Sequence, residues 1–434
     1  MSEGLMLGTT VTTKFGKSAT IVRYIAEGGQ GYVYVVNYDG REMALKWYKQ
    51  AGLGNNPQKF YDNIYQNIKR GKPSDEFLWP EDITEWQNDS FGYIMDLRPD
   101  GYYELNQFML CHQRFSSYRA AINAALKIVS AFRILHNSGY SYQDMNDGNF
   151  FIDPVKGNVL ICDNDNVAPN GTETGILGKP RYMAPEIVKS EKRPDTYTDR
   201  FSMSIILFLI FHLTHPLEGK RYLTPGLSPE LQEKLYGSEA LFIMDSDDKS
   251  NAPDRNIHKN VLAVWKCLPD YMREIFTNAF SSKAIQKPSA RPSEKEWLNV
   301  LTRFRSEIVP CSCGNEVFTQ QGQPCKCDGC GKNINIPFRL DLGQYSIPAI
   351  KDSRIYRCQI DVCNEKDALA PVALVVEKKD SPGVLGVRNM SGKTWEAITS
   401  RGESRKVKPD EVIPLKDGIS FKVFDQIMKI IKNQ

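Results

Sequence analysis

The 434-residue sequence has no apolar run long enough to cross a bilayer: the longest, Phe201 to Leu213, has thirteen residues, against about 20 for a spanning helix, and better suits a buried helix. The start, MSEGLMLGTTVTTKFGKS, lacks an apolar stretch of signal-peptide length because Ser, Lys and Thr interrupt it, so neither export nor a membrane is expected and the cytoplasm is. Net charge is also scarce. Lys plus Arg total 55 against 52 for Asp plus Glu, a balance of +3, too small to argue for wrapping nucleic acid or lying on anionic lipid. No internal repeat and no low-complexity tract are visible, which excludes solenoid and disordered classes. What is present is core material, 41% hydrophobic residues with 25% charged, and at roughly 150 residues per domain the prior is about three domains. Five of the ten cysteines, Cys311, Cys313, Cys325, Cys327 and Cys330, crowd into one short stretch, which reads as a metal knuckle in a reducing cytosol rather than a disulfide framework.

From Thr9 to about Leu97 the pattern is strand-like, with apolar alternation in TIVRYIA, a glycine cluster, then YVYVVNYDGREMALKWY with Asp39-Gly40 as a hairpin signal. One stretch, Gln58 to Arg70, spaces Phe60, Ile64, Tyr65 and Ile68 at helical intervals, and Gly71-Lys72-Pro73 ends it. After Gly101 the period becomes helical in SSYRAAINAALKIVSAFRILHNSG, with Ser116 or Ser117 as N-cap and Gly139 as stop. A sheet-rich half joined near Asp96 to Pro99 to a helix-rich half predicts a cleft between them, where small cofactors bind. At Pro310 the composition shifts to Cys, Gly, Asn and Gln, and beyond Ile334 short β-rich runs predict a small β-sandwich after a small metal module.

Within the first half, Ala26-Glu27-Gly28-Gly29-Gln30-Gly31-Tyr32-Val33 lies between two strands, where glycines let backbone N–H groups approach phosphate oxygens. Taken alone, the same cluster is what an ordinary turn would show. Lys46 sits in an otherwise apolar strand, Ala44-Leu45-Lys46-Trp47, so its ammonium needs an anion unless it snorkels from a strand edge. In the second half, Tyr142-Gln143-Asp144-Met145-Asn146-Asp147-Gly148-Asn149 is followed fourteen positions later by Asp163, at the end of the strand-like run Asn158 to Cys162. An Asp able to accept a hydroxyl proton, then Asn and Asp oxygens able to hold Mg²⁺ on a polyphosphate, is what phosphoryl transfer requires. Each piece alone is also turn chemistry; their order and spacing make the pattern specific.

With those residues in that order, the chain from about Thr9 to Ile308 resembles the eukaryotic-type (Hanks-like) protein kinase superfamily. The resemblance implies an α+β bilobal protein kinase fold: an antiparallel β N-lobe of about residues 1–97 and a helical C-lobe of about 98–308. It implies ATP and Mg²⁺, with Ala26, Gly28, Gly29, Gly31 and Val33 in the nucleotide loop, Ala44 and Lys46 on the strand, and Met95, Asp96 and Leu97 in the hinge that receives adenine. Lys46 would hold the α- and β-phosphates, Asp144 would be the catalytic-loop aspartate, and Asn149 and Asp163 the Mg²⁺ ligands. Gly178 to Glu186 looks like the end of an activation segment, and Arg291 is similar to the arginine that pairs with the glutamate of Ala184-Pro185-Glu186.

The departures carry information of their own. The first loop glycine is Ala26. His-Arg-Asp is Tyr142-Gln143-Asp144, so the arginine that would answer an activation-loop phosphate is absent. The catalytic-loop lysine is Asn146, which removes a cation from the transferring phosphoryl group. Asp-Phe-Gly is Asp163-Asn164-Asp165, where Asp165 is either a carboxylate behind the metal or a solvated turn residue, the second being favoured. Helix Gln58 to Arg70 has no glutamate for Lys46, leaving Asn63 as the best-placed substitute and Asp62 as the next. Together with Phe77-Leu78-Trp79-Pro80, these departures look like a divergent bacterial branch often encoded beside a PPM-type phosphatase and a von Willebrand-type protein, which the resemblance implies as partners.

In the tail, Cys311-Ser312-Cys313-Gly314 and Cys327-Asp328-Gly329-Cys330-Gly331, with thirteen residues between Cys313 and Cys327, suit four thiolates on a structural Zn²⁺, with Cys325 as an alternative to Cys327. Residues 309–337 are thus expected to be a zinc ribbon. The runs Leu385 to Trp395 and Ile413 to Phe421 resemble the second half of forkhead-associated domains, over 338–434, but Ala370-Pro371 and Val372 to Val376 stand where a phosphate-reading Gly-Arg or Ser-Arg is expected. A docking role is therefore favoured over phosphothreonine reading. The sequence as a whole reads as an ATP-dependent protein Ser/Thr kinase with docking modules, Thr172 and Thr174 being candidate autophosphorylation sites. The rivals are a nucleotide-binding pseudokinase scaffold acting through the tail and a small-molecule kinase.

Overall fold

The computed structural model describes residues 4–172, 178–224, 226–360 and 367–433; Thr174 lies outside them. The chain divides into two compact units, Met1–Arg114 with Ala131–Pro292, and Phe115–Ser130 with Ser293–Gln434. The expected kinase-to-tail boundary at 308 falls within the second of these. Among the described residues no helix is long and apolar enough to cross a membrane.

The first unit opens with six antiparallel strands, β1 (Thr10–Thr12), β2 (Ser18–Glu27), β3 (Gly31–Tyr38), β4 (Arg41–Tyr48), β5 (Pro80–Ile83) and β6 (Gly92–Met95), in the order β1-β2-β3-β4-β6-β5. Asp39 and Gly40 both take positive φ, as a two-residue hairpin between β3 and β4 requires. Gly31 is demanded by packing, because a Cβ there would lie 2.2 Å from the Trp47 carbonyl oxygen. Between β4 and β5 runs helix α1 (Pro57–Arg70). Its first turn is closed by the Asn56 side chain, which accepts from the Lys59 N–H at 3.0 Å, and Pro57 fits the first helical position, where no N–H is needed. Gly71, with φ of 79°, stops it. Phe60, Tyr61 and Ile64 form the buried face of α1 and share a core with Ala44, Tyr48, Phe91 and Tyr93 of the sheet.

The rest of the first unit is mainly helical. Helix Thr196–His212 starts on a capping box between Asp195 and Thr198, and from Thr198 onward nearly every side chain is buried, so the apolar run from Phe201 is an interior helix. A short antiparallel pair, Phe150–Ile152 with Val159–Ile161, flanks the loop carrying Asp144 and Asn149. The expected Glu186–Arg291 pair is present and buried, with both guanidinium NH groups donating to the carboxylate at 2.8 and 2.7 Å.

The second unit contains helix Glu294–Glu307, capped reciprocally by Ser293 and Glu296, and a short strand pair, Ile308–Pro310 with Glu316–Phe318. Beyond these, a six-stranded and a four-stranded antiparallel sheet share one apolar core that includes Leu340, Ile347, Val375, Val387, Trp395, Phe421 and Ile430. Asn389, fully buried, donates its amide to the carbonyls of Lys393 and Val407, which pins the turn leading to Trp395.

Candidate active site

Strand alternation decides which β4 residues reach the site. Met43, Leu45 and Trp47 pack into the core on one face of the sheet, whereas Ala44 and Tyr48 join the α1 side. Lys46, between them, therefore points with Ala44 and Tyr48. Its side chain is buried and its ammonium is answered three times: by Asp165 Oδ2 at 2.9 Å, by Asp163 Oδ1 at 3.1 Å and by Gln30 Oε1 at 3.0 Å. Burial pushes the Lys46 ammonium down, but the carboxylates of Asp163 and Asp165 more than offset it, leaving a net rise above the usual lysine value. Lys46 is a permanent cation.

The expected partner of Lys46 has to be corrected. Asn63, on α1, donates its amide to the carbonyl oxygens of Val167 at 2.8 Å and Asp165 at 3.5 Å, and so braces the backbone of that turn instead of facing the ammonium. Asp62 accepts from Gln58 on the exposed side of the helix. Asp165 is fully buried, and the Tyr48 hydroxyl donates to the same Oδ2 that receives Lys46, so it is not a solvated turn residue. Two departures, no glutamate on α1 and an acid at the third position of the triplet, are one compensation. The signal was in the sequence, but only their joint reading would have exposed it.

The turn presenting both aspartates is unusual backbone. Asp163 has φ of 53°, a left-handed conformation costing a non-glycine residue about 1 kcal/mol or more, followed by the single turn Asn164–Asn166. Asn164 anchors it, donating to the carbonyls of Leu78 at 2.7 Å and Ile161 at 2.9 Å. Gln143 likewise has φ of 71°. There Asp199 holds the loop, accepting the backbone N–H of Tyr142 at 2.6 Å and of Gln143 at 3.3 Å while pairing with His136 at 3.1 Å. Gln143 also donates to the Thr172 carbonyl at 2.5 Å, a neutral link where the family places an arginine.

Asp144 sits at the end of this braced loop. Burial, then the nearby charge of Asp163, push its carboxyl up to about 6, against a lowering by the Asn146 amide. Asn149, buried, donates its amide nitrogen to the Asp144 carbonyl at 2.8 Å, which makes its oxygen the end available to a cation. Asp163, about one-third exposed, gives Lys46 one oxygen. An amide oxygen and a carboxylate oxygen on adjoining loops are hard, oxygen-only donors and fit Mg²⁺.

Ala26 pairs with Val33 across the loop hairpin, and Val33 pairs with Lys46; Ala44 pairs with Met95, so these lie on four adjacent interior strands of the sheet. Ala44 and Met95 are buried, Leu97 packs on the same core and Asp96 is exposed. Gly28 and Gly29 have open space where a Cβ would be, unlike Gly31. Sequence reasoning missed Gln30 and Tyr48.

In the second unit, the sulfurs of Cys311, Cys313, Cys327 and Cys330 lie within 4.8 Å of one another, with Cys311–Cys330 and Cys313–Cys327 both at 3.6 Å. A tetrahedral zinc with bonds of about 2.3 Å has sulfur–sulfur edges of about 3.8 Å, so the four thiols fit that ion. The Cys313 backbone lowers the Cys311 thiol, whereas the Cys330 thiol, against a lowering by the Lys332 backbone, is pushed up by burial and the neighbouring thiols. Cys325 stands outside the group of four, and burial pushes its thiol up.

These loops, a strand lysine and a pair of interlobe aspartates are those of a phosphotransferase. Residues 20–271 match the protein kinase domain, and the chain belongs to that family. Membership implies ATP with Mg²⁺. Among curated proteins it is similar to protein kinase YegI of Escherichia coli O157:H7, at 22% identity over 370 residues, covering 79% of this chain and 53% of that protein. It is also similar to the serine/threonine-protein kinase Sgk1 of Xenopus tropicalis, at 32% over 206 residues, covering 46% and 48%. The chain spans about half the length of the curated relatives it matches. Among solved structures, the kinase domain of Mycobacterium tuberculosis PknI aligns at a TM-score of 0.45 and 16% identity, covering 69% of this chain and 98% of that one.

Proposed function

We propose that this chain is an ATP- and Mg²⁺-dependent protein kinase of the cytoplasm that transfers the γ-phosphate to serine or threonine hydroxyls of proteins. The single observation that supports it best is the convergence of Lys46 with Asp163, and of Asn149 with Asp144, on loops held by buried Asp199 and Asn164. In this reading Lys46 binds phosphate oxygens, and its neutral partner Gln30 is the contact a phosphate displaces at least cost. Asp144, with its carboxyl near 6, is ionised at neutral pH yet basic enough to orient the acceptor hydroxyl and take its proton. Asn149 and Asp163 hold the Mg²⁺, which would supply charge neutralisation on the polyphosphate.

The domain reading that goes with this is a kinase domain over 1–308, a zinc ribbon over 309–337 with Cys311, Cys313, Cys327 and Cys330 as ligands, and a forkhead-associated-like β-sandwich over 338–434. The six-plus-four strand arrangement around one core supports the last of these, with docking as its role. A PPM-type phosphatase and a von Willebrand-type protein are partners implied by resemblance alone.

The test is transfer from labelled ATP with Mg²⁺ to the protein itself and to casein, by the wild type and by Asp144→Asn. A drop of at least about 10³-fold in the variant is expected, since both the base and its orientation are lost. Equal, background-level transfer by both, with ATP still bound, would instead identify a nucleotide-binding scaffold acting through its tail.

A further inference from the structure

The catalytic loop lacks the lysine that the family places two residues after the base; position 146 is asparagine. Resting on the kinase reading above, we propose that the missing cation is returned from the activation segment by Lys179, which acts as a catalytic residue on the transferring phosphoryl group.

Three observations carry this. The Lys179 ammonium donates to Asn146 Oδ1 at 3.4 Å, and Asn146 Nδ2 in turn donates to Asp144 Oδ1 at 3.3 Å, so the cation stands one buried amide away from the base. Gly178, next to Lys179, lies against the base as well: a Cβ there would lie 3.0 Å from Asp144 Oδ1, so glycine lets the backbone pass close enough for the next side chain to reach in. Finally, the lysine is mounted on a fixed turn. Its carbonyl accepts the Tyr182 N–H at 2.9 Å, Tyr182 is buried, and Arg181 is clamped on Glu218 at 2.5 and 3.1 Å. Lys179 is an exposed residue whose ammonium rests on a neutral amide, a contact that a phosphoryl oxygen can replace.

In the step this describes, the bond from the γ-phosphorus to the β,γ-bridging oxygen breaks, with its electron pair leaving on ADP. The acceptor oxygen bonds to phosphorus, and its proton goes to Asp144. Lys179 takes no part in the proton transfer and neutralises charge on the phosphoryl oxygens as they pass between donor and acceptor. A lysine serving only to tie the activation segment to the catalytic loop would make the same contact with Asn146, and that rival sets the experiment.

Transfer from labelled ATP with Mg²⁺ would be followed for the full chain and for Lys179→Met, Lys179→Arg, Asn146→Lys and the double variant Asn146→Lys/Lys179→Met, with thermal melts for each. Expected is a fall in kcat of about 100-fold in Lys179→Met, with KM for ATP within about twofold and an unchanged melt, partial retention in Lys179→Arg, and recovery of at least about tenfold in the double variant. Loss that appears in the melt or in acceptor KM, without recovery by Asn146→Lys, would assign a tether and overturn the proposal. If Asp144-dependent transfer is normal and Lys179→Met keeps more than half of kcat, the proposal falls alone. Absence of any Asp144-dependent transfer in the unsubstituted chain overturns the kinase reading and this one together.

Discussion

Replacing Asp165 by Asn keeps the shape of the buried group and removes its charge, so it isolates the pairing with Lys46. At 2.9 Å and an effective dielectric of about 20, the attraction between the two charges is about 6 kcal/mol. Most of that is offset by the desolvation of a carboxylate that is fully buried and has one oxygen, Oδ1, without a partner among the described residues. Removing one member of a buried pair costs about 3–5 kcal/mol when the other is left alone. Here Lys46 keeps Asp163 and Gln30, so a loss of about 2–3 kcal/mol is expected, or about 4–12 °C in Tm at 2–4 °C per kcal/mol for a domain of this size. The decisive assay is a pair of double-mutant cycles by thermal or urea unfolding: Lys46→Met with Asp165→Asn, and Lys46→Met with Asn63→Ala. The first should show coupling above about 1.5 kcal/mol, because the groups touch, and the second below about 0.5 kcal/mol, because Asn63 is spent on backbone carbonyls. Greater coupling of Lys46 to Asn63 than to Asp165, or a stabilised Asp165→Asn, would refute the reasoning.

The Asp144 carboxyl binds its proton more tightly in the folded chain, near 6, than the usual 3.8, so the stability it contributes falls as pH rises between those values. Asp144→Asn should therefore raise Tm by a few degrees at pH 7, with the gain gone by about pH 4, even as transfer is lost; melts at the two pH values check this, and an equal or lower Tm at pH 7 would count against it. Elemental analysis of the purified chain should find one zinc, which a chelator or Cys311→Ser removes together with thermal stability, while Cys325→Ser keeps the metal. Gly31→Ala should destabilise by about 2 kcal/mol or more because its Cβ meets the Trp47 carbonyl, whereas Gly28→Ala and Gly29→Ala should leave the melt within about 1 kcal/mol.

Much of the fold was readable because it rests on local rules. Helix α1 stops at Gly71, Ser117 Oγ accepts the Ala120 N–H at the start of helix Tyr118–Asn137, and Asp39-Gly40 makes its hairpin, each from turn or cap chemistry confined to a few residues. The four cysteines were readable for the same reason: two knuckles carry their spacing with them. The partner of Lys46 was not. Asp165 lies 119 positions away from Lys46, and no local rule distinguishes a carboxylate in a solvated turn from one buried under a lysine.

By itself, the sequence determined the elements, their order and the identity of the groups available for phosphoryl chemistry, because strand alternation, caps and turns are set by neighbours along the chain. The tertiary structure alone decided which charges meet: Lys46 with Asp165 rather than with α1, Asp199 beneath the catalytic loop, and Lys179 beside Asn146. Electrostatic pairing depends on distance and burial in space, and both are created only when segments far apart in the chain are packed together.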